Sequence, residues 1–198
     1  MSMVISDEHQ MVFVHVPKTG GTTVSRMLFS MLSDQPGFSI GPAYDKSHLN
    51  ITQVLETRPE IRKYYKFGFI RNTWERVLSM YMFTVRQMRD FKSSKSNQLS
   101  WEPSFRMWLT QGPALIEGRL LAQTHWVKDL DFVGEQKNLK ADFDKVCDHV
   151  GLEKRPFPAW SNCTAHRHYT CYYESEDVEY VREMYQEEIE MFNFKYGE

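Results

Sequence analysis

One stretch of this sequence gathers residue types that bind anionic oxygens: Pro17-Lys-Thr-Gly-Gly-Thr-Thr23. A glycine pair lets backbone amides come close to an anion. A helix starting there adds the partial positive charge of its dipole. Lys18 adds a full positive charge, and Thr22 and Thr23 add hydroxyl donors. The stretch therefore reads as a phosphate-type cradle. It is not the Walker A loop, in which the lysine follows the second glycine and four residues separate the glycines. Here Lys18 precedes Gly20 and Gly21.

Such a cradle works only if a strand ends before it and a helix begins within it. Met11-Val-Phe-Val-His-Val16 is a run of apolar and β-branched residues closed by Pro17, a buried-strand pattern. Val24, Met27, Leu28 and Met31 then recur at helical spacing. The same order repeats at Tyr64-Tyr-Lys-Phe-Gly-Phe-Ile70, a second strand, and at Trp74 to Met88, a helix with Trp74, Val77, Leu78, Tyr81 and Met82 on one face. Residues 34–50 and 91–100 read as loops, and Ile51 to Glu56 as a short helix. Trp101–Thr110 and Ala114–Gln123 read as two more short helices. Phe132-Val133 reads as a brief strand. Leu139, Phe143, Val146 and Val150 mark a helix closed by Gly151. A last helix runs from Glu176 through Ile189. Strands alternating with helices predict one α/β domain over residues 1–198, a parallel sheet flanked by helices. Ligands in such sheets sit beyond the carboxyl ends of strands, where the cradle lies.

Composition narrows the partners. The chain has 198 residues, a formal charge of −2 and an apolar fraction of 41%. It is long enough to bury a core without metals or disulfides. No global basic field draws it to nucleic acid, so an anion site must be local. The start of the chain, with Asp7, Glu8 and His9, does not read as a signal peptide. No apolar run reaches membrane-spanning length. The expectation is a cytoplasmic protein without membrane insertion. Three cysteines are too few for a disulfide framework.

Val16-Pro-Lys-Thr-Gly-Gly-Thr-Thr23 resembles the 5′-phosphosulfate loop of sulfotransferases that use 3′-phosphoadenosine 5′-phosphosulfate (PAPS). The longer string from Phe13 is similar to the Golgi carbohydrate sulfotransferases and their bacterial relatives. Phe69-Ile-Arg-Asn-Thr-Trp-Glu-Arg-Val-Leu-Ser-Met-Tyr81 resembles the family's 3′-phosphate segment, R-N-P-x-x-R-x-x-S-x-Y, with Thr73 in place of the proline. Asp131-Phe-Val-Gly-Glu-Gln-Lys-Asn-Leu139 is similar, more weakly, to a family stretch in which glutamate stands where Lys137 is. The resemblance implies a P-loop-type sulfotransferase fold and transfer of a sulfuryl group from PAPS to an acceptor hydroxyl, on a carbohydrate or similar polyol, leaving PAP. It implies donor contacts from Pro17, Lys18, Thr19, Gly20, Gly21, Thr22 and Thr23, and a 3′-phosphate held by Arg71 and Ser79. A forked guanidinium and a hydroxyl suit a phosphate. Arg76 reads either as a phosphate contact or as half of a surface ion pair.

Transfer to a hydroxyl needs a base, and histidine suits that near neutral pH. Seven histidines compete. The resemblance favours His48; His15 reads as a packed strand residue. It also gives Lys18 the role of stabilising the leaving oxygen and brings Arg167 near the nucleotide. Cys163, His166, His168 and Cys171 do not follow a common structural-zinc spacing, and no metal is expected. Trp101, Trp108, Trp126 and Trp160 read as core residues first and as stacking surfaces for adenine or sugar rings second. The alternatives are another P-loop nucleotide enzyme and a non-catalytic nucleotide- or glycan-binding relative.

Overall fold

A computed structural model of the chain describes residues 3–40, 50–94, 102–111, 121–157 and 166–198. The chain packs as two compact units, one of Met1–Arg71 with Gln123–Cys163, the other of Asn72–Ala122 with Thr164–Glu198. Strands β1 (Met3–Ser6) and β2 (Met11–Val14) open the first unit as an antiparallel hairpin. Helix α1 (Gly21–Leu32), strand β3 (Phe38–Ile40), helix α2 (Ile51–Thr57) and strand β4 (Tyr65–Ile70) follow. Helices α3 (Thr73–Ser94) and α4 (Phe105–Gln111) belong to the second unit. The chain returns to the first with α5 (Thr124–Val127), β5 (Phe132–Glu135) and α6 (Leu139–Val150). It ends in the second with α7 (Ser175–Met184) and α8 (Gln186–Phe192).

The sheet order is β3-β1-β2-β4-β5. β2, β4 and β5 run parallel, with Val14 opposite Gly68 and Ile70 opposite Glu135. The fold is α/β, as the alternation of patterns implies. β1 and β3 add an antiparallel flank, so the sheet is mixed. Residues on both faces of β2 are buried, which explains its unbroken apolar run. Phe13 and Phe67 meet across β2 and β4 with ring centroids 5.3 Å apart. Val24, Met27, Leu28 and Leu32 of α1 and Leu139, Phe143 and Val146 of α6 complete this core. Gly151 closes α6 at φ 71°, and the Cys147 carbonyl accepts from its amide and from that of Leu152.

The second unit has a separate, aromatic core of Trp74, Phe105, Trp108, Tyr169 and Tyr185 with Leu78 and Val181. Trp74 Nε1 donates to the Val178 carbonyl at 3.1 Å, and the Tyr173 hydroxyl donates to the Trp74 carbonyl at 2.7 Å. Burial raises the Tyr173 pKa far above the usual phenol value.

Several elements depart from the pattern-based reading. β1 has four residues between polar neighbours, too short for a periodic signal, yet all four are buried. β3 lies in a stretch expected to be loop; it forms because Gly37, at φ 73°, turns the chain back and its carbonyl accepts from Asp7 N at 3.3 Å. α3 runs to Ser94, past the expected end. The expected final helix is broken at Tyr185, whose buried ring lies under the Arg76 guanidinium at 5.4 Å. Much of the expected Ala114–Gln123 helix lies outside the described residues. Its described end, Leu121 to Gln123, is not helical and leads into α5.

Candidate functional site

The cradle is built from backbone conformations that resist ordinary side chains. Lys18 sits at φ 69° and Gly20 at φ 86°, both left-handed, with Thr19 between them. The left-handed position suits Gly20. For Lys18 it is a strained state of the kind that persists where a site demands it. Alternation of this sort turns successive amides toward one concavity, an anion nest. The Gly20 carbonyl accepts from Thr23 N at 2.9 Å and starts α1. Helix α1 has no side-chain cap and no acid in its first turn, so no carboxylate of its own offsets its positive end. The buried Thr19 hydroxyl donates to the Val16 carbonyl at 3.0 Å and fastens the loop to the strand end.

Gly21 is required for space. A Cβ there would lie 2.0 Å from Cδ2 of His15. The His15 ring is 7% exposed and stacks near Phe13, with centroids 6.0 Å apart. His15 is thus a packing residue beneath the start of α1, one position past the end of β2 rather than on the strand.

Arg71 comes to this loop from the neighbouring strand. Because β2 and β4 are parallel neighbours, their carboxyl ends lie at the same end of the sheet. Arg71 follows β4 directly, and its Nη1 donates to the Lys18 carbonyl at 3.3 Å. Gln123, fully buried, grips the Arg71 backbone from the other side. Its Oε1 accepts from Arg71 N at 2.8 Å, and its Nε2 donates to Arg71 O at 2.9 Å. Two guanidinium- or ammonium-bearing residues and a helix N-terminus thus meet at one strand edge. That assembly is suited to binding and neutralising phosphate or sulfate oxygens.

The first unit therefore joins Pro17–Thr23 with Arg71. Ser79 is half-buried on α3 and Arg167 is exposed ahead of the turn Tyr169–Tyr172; both belong to the second unit. His48, Cys163, Trp101 and Trp160 lie outside the described residues. Trp108 and Trp126 are each 2% exposed and are core residues. Tyr81 is also a packing residue, its hydroxyl donating to the Pro103 carbonyl at 2.9 Å. Lys137 pairs with Glu135 at 2.9 Å. His125 is exposed on α5, its Nε2 3.3 Å from Asn50 Nδ2.

Arg76 is neither a surface residue nor paired with Glu75. It is fully buried, with Nη2 3.1 Å from the Leu121 carbonyl and 3.5 Å from Glu188 Oε2. Thr73 donates its hydroxyl to the other Glu188 oxygen at 2.6 Å. Threonine in the proline position of the resembling motif thus supplies a buried hydrogen bond. Glu188 and Gln123 escaped sequence reasoning. Each is a polar residue within ordinary helical or loop sequence, and only the burial seen in the fold distinguishes it.

Among the described residues no group of three or more His, Cys, Asp or Glu side chains could hold a metal ion. No described helix is long and apolar enough to cross a membrane. The fold is α/β, with the loop Pro17–Thr23 and Arg71 together at the carboxyl ends of the parallel strands β2 and β4. Comparison with known families narrows it: the model of the sulfotransferase family matches residues 1–195. The chain belongs to the sulfotransferase family. No curated protein and no solved structure matches it.

Proposed function

We propose that this protein transfers the sulfuryl group of PAPS to a hydroxyl of a carbohydrate or similar polyol, with the whole chain acting as a single sulfotransferase domain. The observation that carries this reading is the meeting of Lys18 and Arg71 at one strand edge, 53 residues apart in sequence and joined by a hydrogen bond. A donor with anionic groups at two ends needs two cationic grips, and the cradle and Arg71 are of that kind. Family membership supports sulfuryl transfer.

In this reading the amides from Lys18 to Thr23 and the Thr22 and Thr23 hydroxyls hold the phosphosulfate. Arg71, with Ser79 and Arg167 assigned by resemblance, serves the 3′-phosphate side. PAPS supplies the activated sulfur. As the acceptor oxygen bonds to sulfur, the bond from sulfur to the phosphate oxygen breaks. Charge grows on that oxygen, and Lys18 stabilises it. His48, assigned by resemblance, takes the proton of the acceptor hydroxyl. No step in this scheme calls on a metal.

Titration calorimetry with PAP tests the reading, followed by mass spectrometry of a polyol panel incubated with PAPS. Binding at tens of micromolar or tighter, with a sulfated product, is expected. Absence of binding in that range rejects the donor assignment. Binding without turnover on any polyol points instead to a nucleotide-binding module.

A further inference from the structure

We propose that Gln123 is a positioning residue for Arg71, and that it sets how strongly the site distinguishes a 3′-phosphorylated nucleotide from an unphosphorylated one. The inference rests on the donor reading above and adds a residue to it. Backbone pairing between β4 and β5 ends at Ile70 opposite Glu135. Arg71 is one residue past that ladder, where a strand end normally loosens. There the Gln123 carboxamide takes the place of a neighbouring strand. It accepts from Arg71 N at 2.8 Å and donates to Arg71 O at 2.9 Å.

The clamp is itself held firmly. The Gln123 carbonyl accepts from Trp126 N at 3.0 Å and Val127 N at 3.2 Å, and so starts α5. Trp126 and Val127 are 2% and 4% exposed, which anchors that short helix. A chain of contacts therefore runs from the buried α5 through Gln123 to the Arg71 backbone. The Arg71 guanidinium continues it to the Lys18 carbonyl, at the strained residue of the cradle.

The residue type follows from the chemistry. A primary amide carries both a donor and an acceptor in one plane, as two-point pairing with a peptide requires. Glutamate keeps the acceptor and loses the donor. Methionine keeps the length and loses both. An arginine whose backbone is already fixed gives up less freedom when its side chain engages a phosphate. The benefit reaches only ligands that use Arg71.

The test compares PAP with adenosine 5′-phosphate, which lacks the 3′-phosphate, by titration calorimetry on the full chain. Wild-type protein is expected to prefer PAP. Gln123→Met should weaken PAP by about tenfold, the order of one side chain's ordering cost. Its affinity for adenosine 5′-phosphate should stay at the wild-type value. In an Arg71→Ala background, Gln123→Met should have no further effect on PAP. Equal weakening of both nucleotides would mean general structural damage and would overturn the inference. So would undiminished PAP preference in Gln123→Met. If wild-type protein itself does not distinguish the two nucleotides, the donor reading fails and the inference with it. Should Gln123→Met not fold, Gln123→Glu carries the same comparison, with the acceptor retained and only the donor removed.

Discussion

Arg71 and Arg76 stand five positions apart in one motif, and the fold surrounds them differently. Arg71 is half-buried at a strand end, its guanidinium on a backbone carbonyl beside a strained loop. Arg76 is fully buried in the second unit, its Nη2 on the Leu121 carbonyl and Glu188 and its guanidinium over the Tyr185 ring, while its Nε and Nη1 have no hydrogen-bond partner among the described residues. The first ends a strand beside the loop proposed to hold the donor; the second lies among buried groups that include a carboxylate. An arginine in a segment that resembles a phosphate-binding motif is therefore not a phosphate ligand by position alone. Its burial bears on that as well.

The largest effect should come from breaking the closed arginine. Arg76→Met leaves Glu188 as a buried carboxylate without its cation, a change of about 3–5 kcal/mol. Chemical denaturation should show the loss, and adding Glu188→Leu should recover much of it. The fraction that remains folded should bind PAP as wild type does. A stable Arg76→Met protein with lost PAP binding would reverse the roles assigned to the two arginines.

The open side should respond in activity rather than stability. Lys18→Ala should lower kcat by about 10²- to 10³-fold, the scale of one lost contact to a developing oxyanion. Lys18→Gly sharpens the point, because glycine accepts φ 69° without strain. It should melt no lower than wild type while transferring as poorly as Lys18→Ala. A marked drop in Tm for Lys18→Gly would show that the lysine side chain holds the loop together, contrary to its assigned role.

How far the sequence reveals this contrast depends on the range of the interactions. The loop is local: glycines, lysine and threonines follow a strand within a few residues, and their types alone lead to the reading of an anion site. β2 is legible because it is apolar throughout and buried on both faces, and β4 because its buried end, Phe67 to Ile70, is an apolar run. β1 and β3 are too short to show a period, and pairing with distant partners makes them strands. Gln123 meets Arg71 across 52 residues, and Glu188 meets Arg76 across 112. Neither pairing leaves a mark on its own neighbourhood in the sequence. Arg76 is ambiguous in the sequence for the same reason, since its counter-charge lies near the end of the chain.

A smaller effect should follow from crowding the cradle's underside. Gly21→Ala drives a Cβ into the His15 ring, which must shift within a packed core. Overpacking of this kind costs about 1–3 kcal/mol. His15→Ala in the same chain should restore much of the lost Tm, because the ring is the obstacle. If it does not, the glycine is required by the ligand's approach rather than by His15. PAP titration of the double variant would then remain weak.

The smallest expected effect lies at the other end of β4, far along the strand from Arg71. There Asp131 receives the Lys66 amide and the Lys66 ammonium on one carboxylate oxygen, each at 2.8 Å. Burial alone would raise the Asp131 pKa, but the hydrogen bonds and charge of Lys66 outweigh it and hold the carboxyl below its ordinary value of 3.8. A lowered folded-state pKa means that the stabilisation is fully present above the unfolded value. It is lost as the pH falls through the folded value. The carboxylate is 46% exposed, so solvent screening limits the contribution to about 1 kcal/mol or less. Asp131→Asn keeps an acceptor for the Lys66 amide and removes the charge. Denaturation midpoints of the two proteins should differ slightly at neutral pH and converge as the pH drops below about 4. A gap that persists or widens in acid would show that Asp131 contributes through shape and backbone pairing. Both ends of β4 would then be closed by neutral side-chain pairing, with charge reserved for the edge that carries the site.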